Sequence, residues 1–298
     1  MNLSDFEFVP LSSDELAPED RWILSRLSRV ITAVTGHLMS FNPSAAIGAA
    51  RDFFWGELCD WYLEAIKPRL KIEETVDTAR RVLSVALDQV LRLFHPFVQF
   101  ITEVLWERLN LMIPVRGLEQ PLASSGLLIK AAWPVKRPDW EDDRIEAEFQ
   151  KCQDMIRGIR ELRARYNIPP GREMEAVIKA SGSSAVTIQG LKSLVLHMGR
   201  LKSLDISATA LRPPGAAAQV VGDTELYLIG AVDTEKERSK LTRQREKLLK
   251  DIQNAESRLS NENFLSRAPA SVVESERKKM SELQAQIKLV ESNLAGLD

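Results

Sequence analysis

Residues 51–71 read RDFFWGELCDWYLEAIKPRLK, and five aromatic side chains (Phe53, Phe54, Trp55, Trp61 and Tyr62) fall within about three helical turns. Ile47, Ala50, Phe54, Leu58, Trp61 and Ala65 recur at steps of three and four, the period of one helical face. Phe53, Cys59, Tyr62 and Ile66 lie beside that face and widen it. A helix apolar over so wide an arc is buried on several sides. The pattern therefore predicts the central helix of a bundle and assigns its aromatics to the core. Lys67-Pro68 stops the helix, because proline disfavours helical geometry in the residue before it. Lys67, Arg69 and Lys71 gather at this exit. They are either phosphate contacts or a solvated helix end.

The neighbours agree with a bundle. Pro18 suits a first helical turn, with Glu19 and Asp20 at its positive end. Ile23, Leu27, Val30, Val34 and Leu38 face inward on this first helix, while Arg21, Arg26 and Arg29 project elsewhere. Asn42-Pro43 supplies a cap and first-turn proline for the second helix. A third helix spans Glu73–Phe94, with Val76, Ala79, Leu83, Leu87, Val90 and Phe94 inward and Arg80 and Arg81 on its flank. Pro96 opens a fourth, to about Leu109. Short connections make neighbouring helices antiparallel. A proline- and glycine-rich connector, 110–138, then crosses the bundle with Trp133 as its anchor. Asp139 is expected to cap a fifth helix to Tyr166 with a seam of Ile145, Phe149, Cys152, Ile156, Ile159 and Tyr166.

The pattern changes after Asn167-Ile168-Pro169-Pro170-Gly171, a hard stop. Met174–Ala180 and Leu201–Ile206 read as strands, and Ser183–His197 as a helix. Ala217–Val221 and Glu225–Ile229 flank Gly222-Asp223-Thr224, a hairpin signal. From Asp233 onward the chain is helical again. Leu248, Ile252, Ala255 and Leu259 form one apolar seam; Met280, Leu283, Ile287, Val290, Leu294 and Leu297 form another, with heptad spacing and charged flanks. Asn263, Phe264 and Pro269 interrupt them. The two halves are expected to fold back as an antiparallel hairpin with its tip near 264–270. An ordinary helix pair or a dimerising segment shares the pattern.

The fold class expected is mainly α: an antiparallel helical bundle (18–138), a long helix with a small α/β subdomain (139–232) and a C-terminal antiparallel coiled-coil hairpin (233–298), after an irregular start (1–17). Hydrophobic residues make up 44% of the 298 and charged residues 28%, enough to bury a core in two or three domains. A net charge of -2 gives no global attraction to nucleic acid, so polyanion binding must use local patches. The two cysteines, Cys59 and Cys152, lie on apolar faces, fit a reducing compartment and cannot make a standard zinc site. No run can span a membrane, and MNLSDFEFVP is not a signal peptide.

The stretch FFW-x-ELCDWYLE-x-x-KPRL, with Asp20–Leu27 upstream, resembles the anticodon-binding domain of the valyl-tRNA synthetase family, and more loosely its isoleucine and leucine relatives. The residues 259–264 and 268–277, Tyr166–Gly171 and Val221-Gly222-Asp223 are similar to the arm, linker and hairpin of that family. Asn263 stands where the family often has glycine; asparagine tolerates left-handed geometry. The resemblance covers nearly the whole chain from Leu16. It implies a tRNA-binding, cytoplasmic, monomeric C-terminal part of a valine–tRNA ligase, with residues 1–17 as a linker from an upstream catalytic domain. The partner implied is valine-accepting tRNA. The reaction implied for the parent uses ATP and Mg, with no cofactor in this segment.

The family's His-Ile-Gly-His signature is absent. Lys279-Met280-Ser281-Glu282-Leu283 is a decoy for Lys-Met-Ser-Lys-Ser, since its acid would repel phosphate and it sits on a heptad seam. No catalytic or metal residues are assigned, and the chain alone is expected to be catalytically silent. Its remaining equipment is for RNA: phosphates are held by Lys and Arg, and splayed bases stack on aromatic or Arg planes. The candidates are Arg21, Arg26, Arg29, Lys67, Arg69, Lys71, Arg80 and Arg81 on the bundle. On the arm they are Lys236, Arg238, Lys240, Arg243, Arg245, Lys247 and Lys250. By itself that basic run is equally a solvated helix face; the resemblance makes it a brace for the tRNA. The alternative reading is a free-standing RNA-binding or scaffold protein.

Overall fold

A computed structural model of the chain describes residues 8–122, 125–231, 234–260 and 270–295. Those residues are mainly helical, with one small sheet. They form two units: one takes residues up to Ile156 together with Val186–Gly199, the other Arg157–Ala185 together with the residues from Arg200 on.

In the first unit, α1 spans Pro18–Met39. The Asp20 carboxylate accepts the Ala17 amide at 3.1 Å and closes its first turn. α2, Pro43–Asp52, is capped by Asn42, whose side-chain oxygen accepts the Ala45 amide at 3.1 Å. The chain then widens into π-helical geometry over Phe53–Tyr62 before α3, Leu63–Ile66. The regular helix expected here is thereby corrected. A wide turn pairs residues five apart, and the Leu63 amide reaches back to the Leu58 carbonyl. The inward step from Phe53 to Leu58 follows that spacing, so Phe53 is buried and Phe54 only half-buried. Trp55, assigned to the core on a regular helical wheel, is 60% exposed. Phe54 meets Trp55 and Phe94 edge-on, at 5.0 and 5.8 Å.

α4 spans Glu73–Phe94 as expected, but its inward face is rotated. Leu83 and Leu87 are only half-buried, whereas Val82, Val85, Ala86, Asp88, Gln89, Leu91, Arg92 and Leu93 are buried. The cause is an ionic core that hydropathy reads as surface. Asp88 accepts Arg92 at 2.7 Å and Arg116, from the connector, at 2.8 Å. The Trp106 ring lies against both guanidinium groups, at 4.9 and 4.7 Å. Arg92 also donates to the Ala132 carbonyl, and Arg116 to the Ile113 carbonyl and the Asn110 side chain. These bonds around one carboxylate pin the connector to α4. Trp133 adds the anchor expected of it, donating to Thr35 at 2.9 Å.

α5 spans Gln99–Met112, later than Pro96 suggested, because the Phe97 and Val98 amides still bond to Phe94. α6, Asp143–Arg165, is capped by Asp142 rather than Asp139: Asp142 accepts the Arg144 and Ile145 amides at 3.0 and 3.1 Å. Its seam is buried from Ile145 to Ile159, and Phe149 stacks on Trp22 with centroids 4.0 Å apart. Tyr166, the expected end of that seam, is exposed. Burial raises both thiols above their usual range, that of Cys152 most, although Cys59 is only half-buried.

The helix expected over Ser183–His197 is two: α7, Gly182–Gly190, and α8, Lys192–Gly199. Leu194, Val195 and Met198 of α8 are buried, and the His197 ring nitrogen lies 3.1 Å from the Glu64 carbonyl.

In the second unit, β1 (Met174–Lys179), β2 (Leu201–Ser207), β3 (Ala217–Val221) and β4 (Thr224–Ile229) form a mixed sheet in the order β2-β1-β4-β3. β1 and β2 are parallel, with Val177 opposite Asp205; β4 is antiparallel to both its neighbours. The β3–β4 turn uses Gly222 at φ 58°, left-handed geometry that glycine adopts without steric cost. Asp223 in that turn accepts from Ser184. The hairpin presses onto α6 so closely that a Cβ at Gly158 would meet Val221 at 2.8 Å.

α9 spans Thr234–Leu259 and α10 spans Ala270–Ala295. Buried Leu248 and Val290 pack together with Leu283 and Ile287, and Arg245 pairs with Glu291 at 3.2 Å. The expected tip lies outside the described residues up to Pro269. No helix among the described residues is long and apolar enough to cross a membrane.

Candidate RNA-binding surface

Four of the bundle arginines singled out in the sequence, Arg21, Arg26, Arg29 and Arg69, are held in ion pairs within the first unit. Arg21 meets Asp142 at 2.5 Å. Arg26 grips Glu57 with two nitrogens, at 2.7 and 2.9 Å, and reaches Glu146 at 3.1 Å. Arg29 bonds Glu146 at 2.6 Å and also contacts Asp143. Glu146 takes a further bond from Ser25. One carboxylate thus gathers three side chains of α1 onto the start of α6. Burial works to raise the Glu146 carboxyl, but the bonds from Ser25, Arg29 and Arg26 together hold it below its ordinary value. The Arg26 guanidinium is held above its own by Glu57, against burial.

Arg69 is enclosed too. It contacts Glu19 at 2.9 Å and buried Asp20 at 2.8 Å, and the Tyr62 hydroxyl donates to Asp20 at 2.8 Å. Burial pushes both Glu19 and Tyr62 upward. Arg81 donates to the Gly117 and Leu118 carbonyls at 3.3 and 2.9 Å and lies over the Phe8 ring. Beside Arg21 opens a cleft of about 630 Å³ lined by Asp14, Glu119, Asp139, Glu141, Asp142 and Asp143. Its charge repels phosphate.

The other bundle candidates face outward. Lys67 is exposed and pairs with Glu64 at 2.5 Å, the kind of surface contact a stronger anion displaces. Lys71 and Arg80 are exposed. Sequence reasoning missed the exposed rings: Phe41, 94% exposed at φ 55°, Phe100, 91% exposed, and Trp55. Hydropathy assigns such residues inside. The signal was local context, since Phe41 precedes Asn42-Pro43 at a helix junction and Phe100 sits near buried Thr102 on an otherwise mixed face.

On α9, Arg238, Arg243, Arg245, Lys247 and Lys250 are exposed, with Arg245 bound to Glu291. Lys236 and Lys240 lie on the same helix, with their side chains outside the described residues. Arg243, Lys247 and Lys250 follow the three–four spacing of one helical face.

Residues 20–178 match the family model described as the anticodon-binding domain of tRNA ligase. Residues 233–298 match the valyl tRNA synthetase tRNA binding arm. Residues 179–232 lie between the two matched segments. Curated relatives agree along the whole chain. The valine–tRNA ligase of Thermotoga maritima is 36% identical over 301 residues, covering 100% of this chain and 32% of the relative. That of Rhodopirellula baltica is 34% identical, covering 100% and 29%, and that of Aquifex aeolicus 33%, covering 95% and 24%. The chain spans about a third or less of the length of these relatives. It belongs to the valine–tRNA ligase family, as the part that carries the anticodon-binding domain and the tRNA-binding arm.

Proposed function

We propose that this chain holds a valine-accepting tRNA so that its acceptor end reaches the active site of a valine–tRNA ligase. In this reading the ligation, with its ATP and Mg, is the work of an upstream catalytic domain joined through residues 1–17. The protein acts as a cytoplasmic monomer. Residues 18–138 serve as an antiparallel bundle, 139–232 as a long helix with its α/β subdomain, and 233–298 as an antiparallel coiled-coil hairpin.

The observation that carries the reading is the exposed basic face of α9. Phosphate contacts position an RNA without reading its sequence, and this face suits that role. Base reading needs ring faces and adaptable donors. Trp55, Phe41 and Phe100, with Lys67, Lys71 and Arg80, are the bundle groups available for it. Arg21, Arg26, Arg29, Arg69 and Arg81 then serve the scaffold that presents them.

Titration of valine-accepting and other tRNAs tests this division. Replacing Arg243, Lys247 and Lys250 by Ala should weaken all tRNAs alike and flatten the salt dependence. Trp55→Ala should instead erode discrimination, at about 1–3 kcal/mol per lost stacking contact. Equal losses for every tRNA in both variants would refute the assignment of reader and brace. Valine-dependent pyrophosphate exchange by the pure chain would refute the placement of catalysis elsewhere. Ile287→Asp puts a carboxylate on the half-buried seam, so it should melt the arm alone; concentration-dependent dimerisation of the wild type would argue instead for a dimer zipper.

A further inference from the structure

β1 and β2 run parallel and side by side, and arginines stand just before the start of each: Arg172 before Met174 and Arg200 before Leu201. The Met174 amide bonds to the Arg200 carbonyl at 3.2 Å, so the two approaches lie next to each other. A third arginine fixes the arrangement. Buried Arg163, near the end of α6, sends one nitrogen to the carbonyls of Pro169 at 2.9 Å and Arg172 at 2.7 Å. That clamp sets the path of the 167–172 loop and the direction in which Arg172 emerges. Its other terminal nitrogen is buried without a hydrogen-bond partner among the described residues.

Arg172 itself bonds to the Gly230 carbonyl at 3.3 Å and remains exposed. A guanidinium has five N–H donors, so most of its capacity faces outward. Arg200 is exposed as well, and its backbone is left-handed at φ 52°. A non-glycine residue there is strained, and glycine or asparagine would sit more easily. Burial, then Arg200 and Arg172, hold the Arg163 guanidinium below its ordinary value, with no acid offsetting them. The nearest acid on β1, Glu175, is occupied by Lys202 at 3.7 Å; Glu173 is the acid that adjoins Arg172 in sequence. Like charges this close are stabilised by an anion laid across them.

We propose that Arg172 and Arg200 form a phosphate-binding site for the RNA backbone, on the α/β subdomain, with Arg163 as the buried positioning residue. This rests on the tRNA-binding function proposed for the chain and extends it to a segment that neither matched model covers in full. The order of elements favours tRNA over a free anion as the source of the phosphate. β4 ends beside the start of β1, at Ile229 opposite Glu175. α9 starts at Thr234; exposed Arg238 follows about one turn on, and the face of Arg243, Lys247 and Lys250 about two and a half turns on. In this proposal an RNA strand laid along that face continues past the start of α9 toward Arg172 and Arg200.

The test uses the full chain with valine-accepting tRNA and one other tRNA, titrated across a salt series. Arg172→Gln with Arg200→Gln should lower affinity for both tRNAs about 5- to 30-fold and reduce the slope of log affinity against log salt by about 1–2. Arg200→Gly guards against misfolding, since glycine accepts the left-handed backbone. It should melt no earlier than wild type and yet bind both tRNAs more weakly. Unchanged affinity and slope in these variants, with wild type binding tRNA normally, would overturn this site and leave the broader reading intact. No binding by wild type would overturn both. Inorganic phosphate at millimolar concentration is the third arm: if it raises the melting temperature through Arg172 and Arg200 while the variants keep full tRNA affinity, the site serves a free anion and the RNA assignment fails.

Discussion

Arginine plays opposite parts in the bundle and in the arm. On α1 and α4, Arg21, Arg26, Arg29 and Arg92 each meet a carboxylate within the fold. On α9, Arg243, Lys247 and Lys250 are exposed along a helix whose buried contacts are aliphatic. The charge is the same; what differs is that, among the described residues, no acid stands opposite these three, although Arg245 beside them pairs with Glu291. Charge alone therefore does not mark an RNA contact. In the bundle, most of it joins helices to one another and to the connector. On the arm, Leu248 and Val290 pack with Leu283 and Ile287, and Arg243, Lys247 and Lys250 stay exposed.

The largest test of this contrast is Asp88→Asn. It strips the buried carboxylate from Arg92 and Arg116 and should cost the first unit about 3–5 kcal/mol, read as a lower melting temperature. A loss below about 1 kcal/mol would mean the ionic core is dispensable and the contrast false. Glu146→Gln should cost less, about 2 kcal/mol, since it weakens charge-assisted bonds from Ser25, Arg26 and Arg29 that are only partly buried.

Acid gives a related but smaller effect. The folded values of Glu146 and Asp142 lie below the ordinary carboxylate range. Their contribution is therefore present above the unfolded values, about 4.3 for Glu146 and about 3.9 for Asp142, and is lost as pH falls through the folded values. Buried Glu19 is raised and works in the opposite sense, gaining stability as it protonates. Melting temperature should fall as pH drops below about 4.3, and Glu146→Gln should flatten that fall; an unchanged slope would remove Glu146 from the account. Smallest of all, replacing Arg243, Lys247 and Lys250 by Ala should move stability by no more than about 0.5 kcal/mol. A larger loss in the melt would show that the arm, too, uses its charges for architecture.

The helices were legible where apolar spacing and caps spoke together. Asn42-Pro43 and Pro18 marked true starts, and the spans of α4 and the β3–β4 hairpin followed from pattern alone. Three things were not legible. Asp88 and Arg92 lie far in sequence from Arg116, so a hydropathy pattern sees three solvated charges where the fold has one buried cluster. Asp142 and Asp139 are equally good caps on paper, and only Ser25 and Arg21 nearby distinguish them. The candidate RNA residues were chosen by charge, and nothing local reveals that Glu57 of the π-helical stretch and Glu146 of α6 will be opposite Arg26 once the helices have docked.

The π-helical turn in Phe53–Tyr62 changes how substitutions there should be judged. A regular helical wheel drawn through α2 misplaces Phe53, Phe54 and Trp55, because the wide turn begins there. Within the wide turn, neighbouring positions exchange roles, while Leu58, Trp61 and Ala65 are buried again as the wheel expects. Phe53 is intolerant where Phe54 is permissive, and Trp55 is as open to change as any surface residue unless something outside the protein needs it. A mutational scan of this helix would thus show a break in its rhythm at Phe53–Trp55, with Leu58, Trp61 and Ala65 intolerant again beyond it.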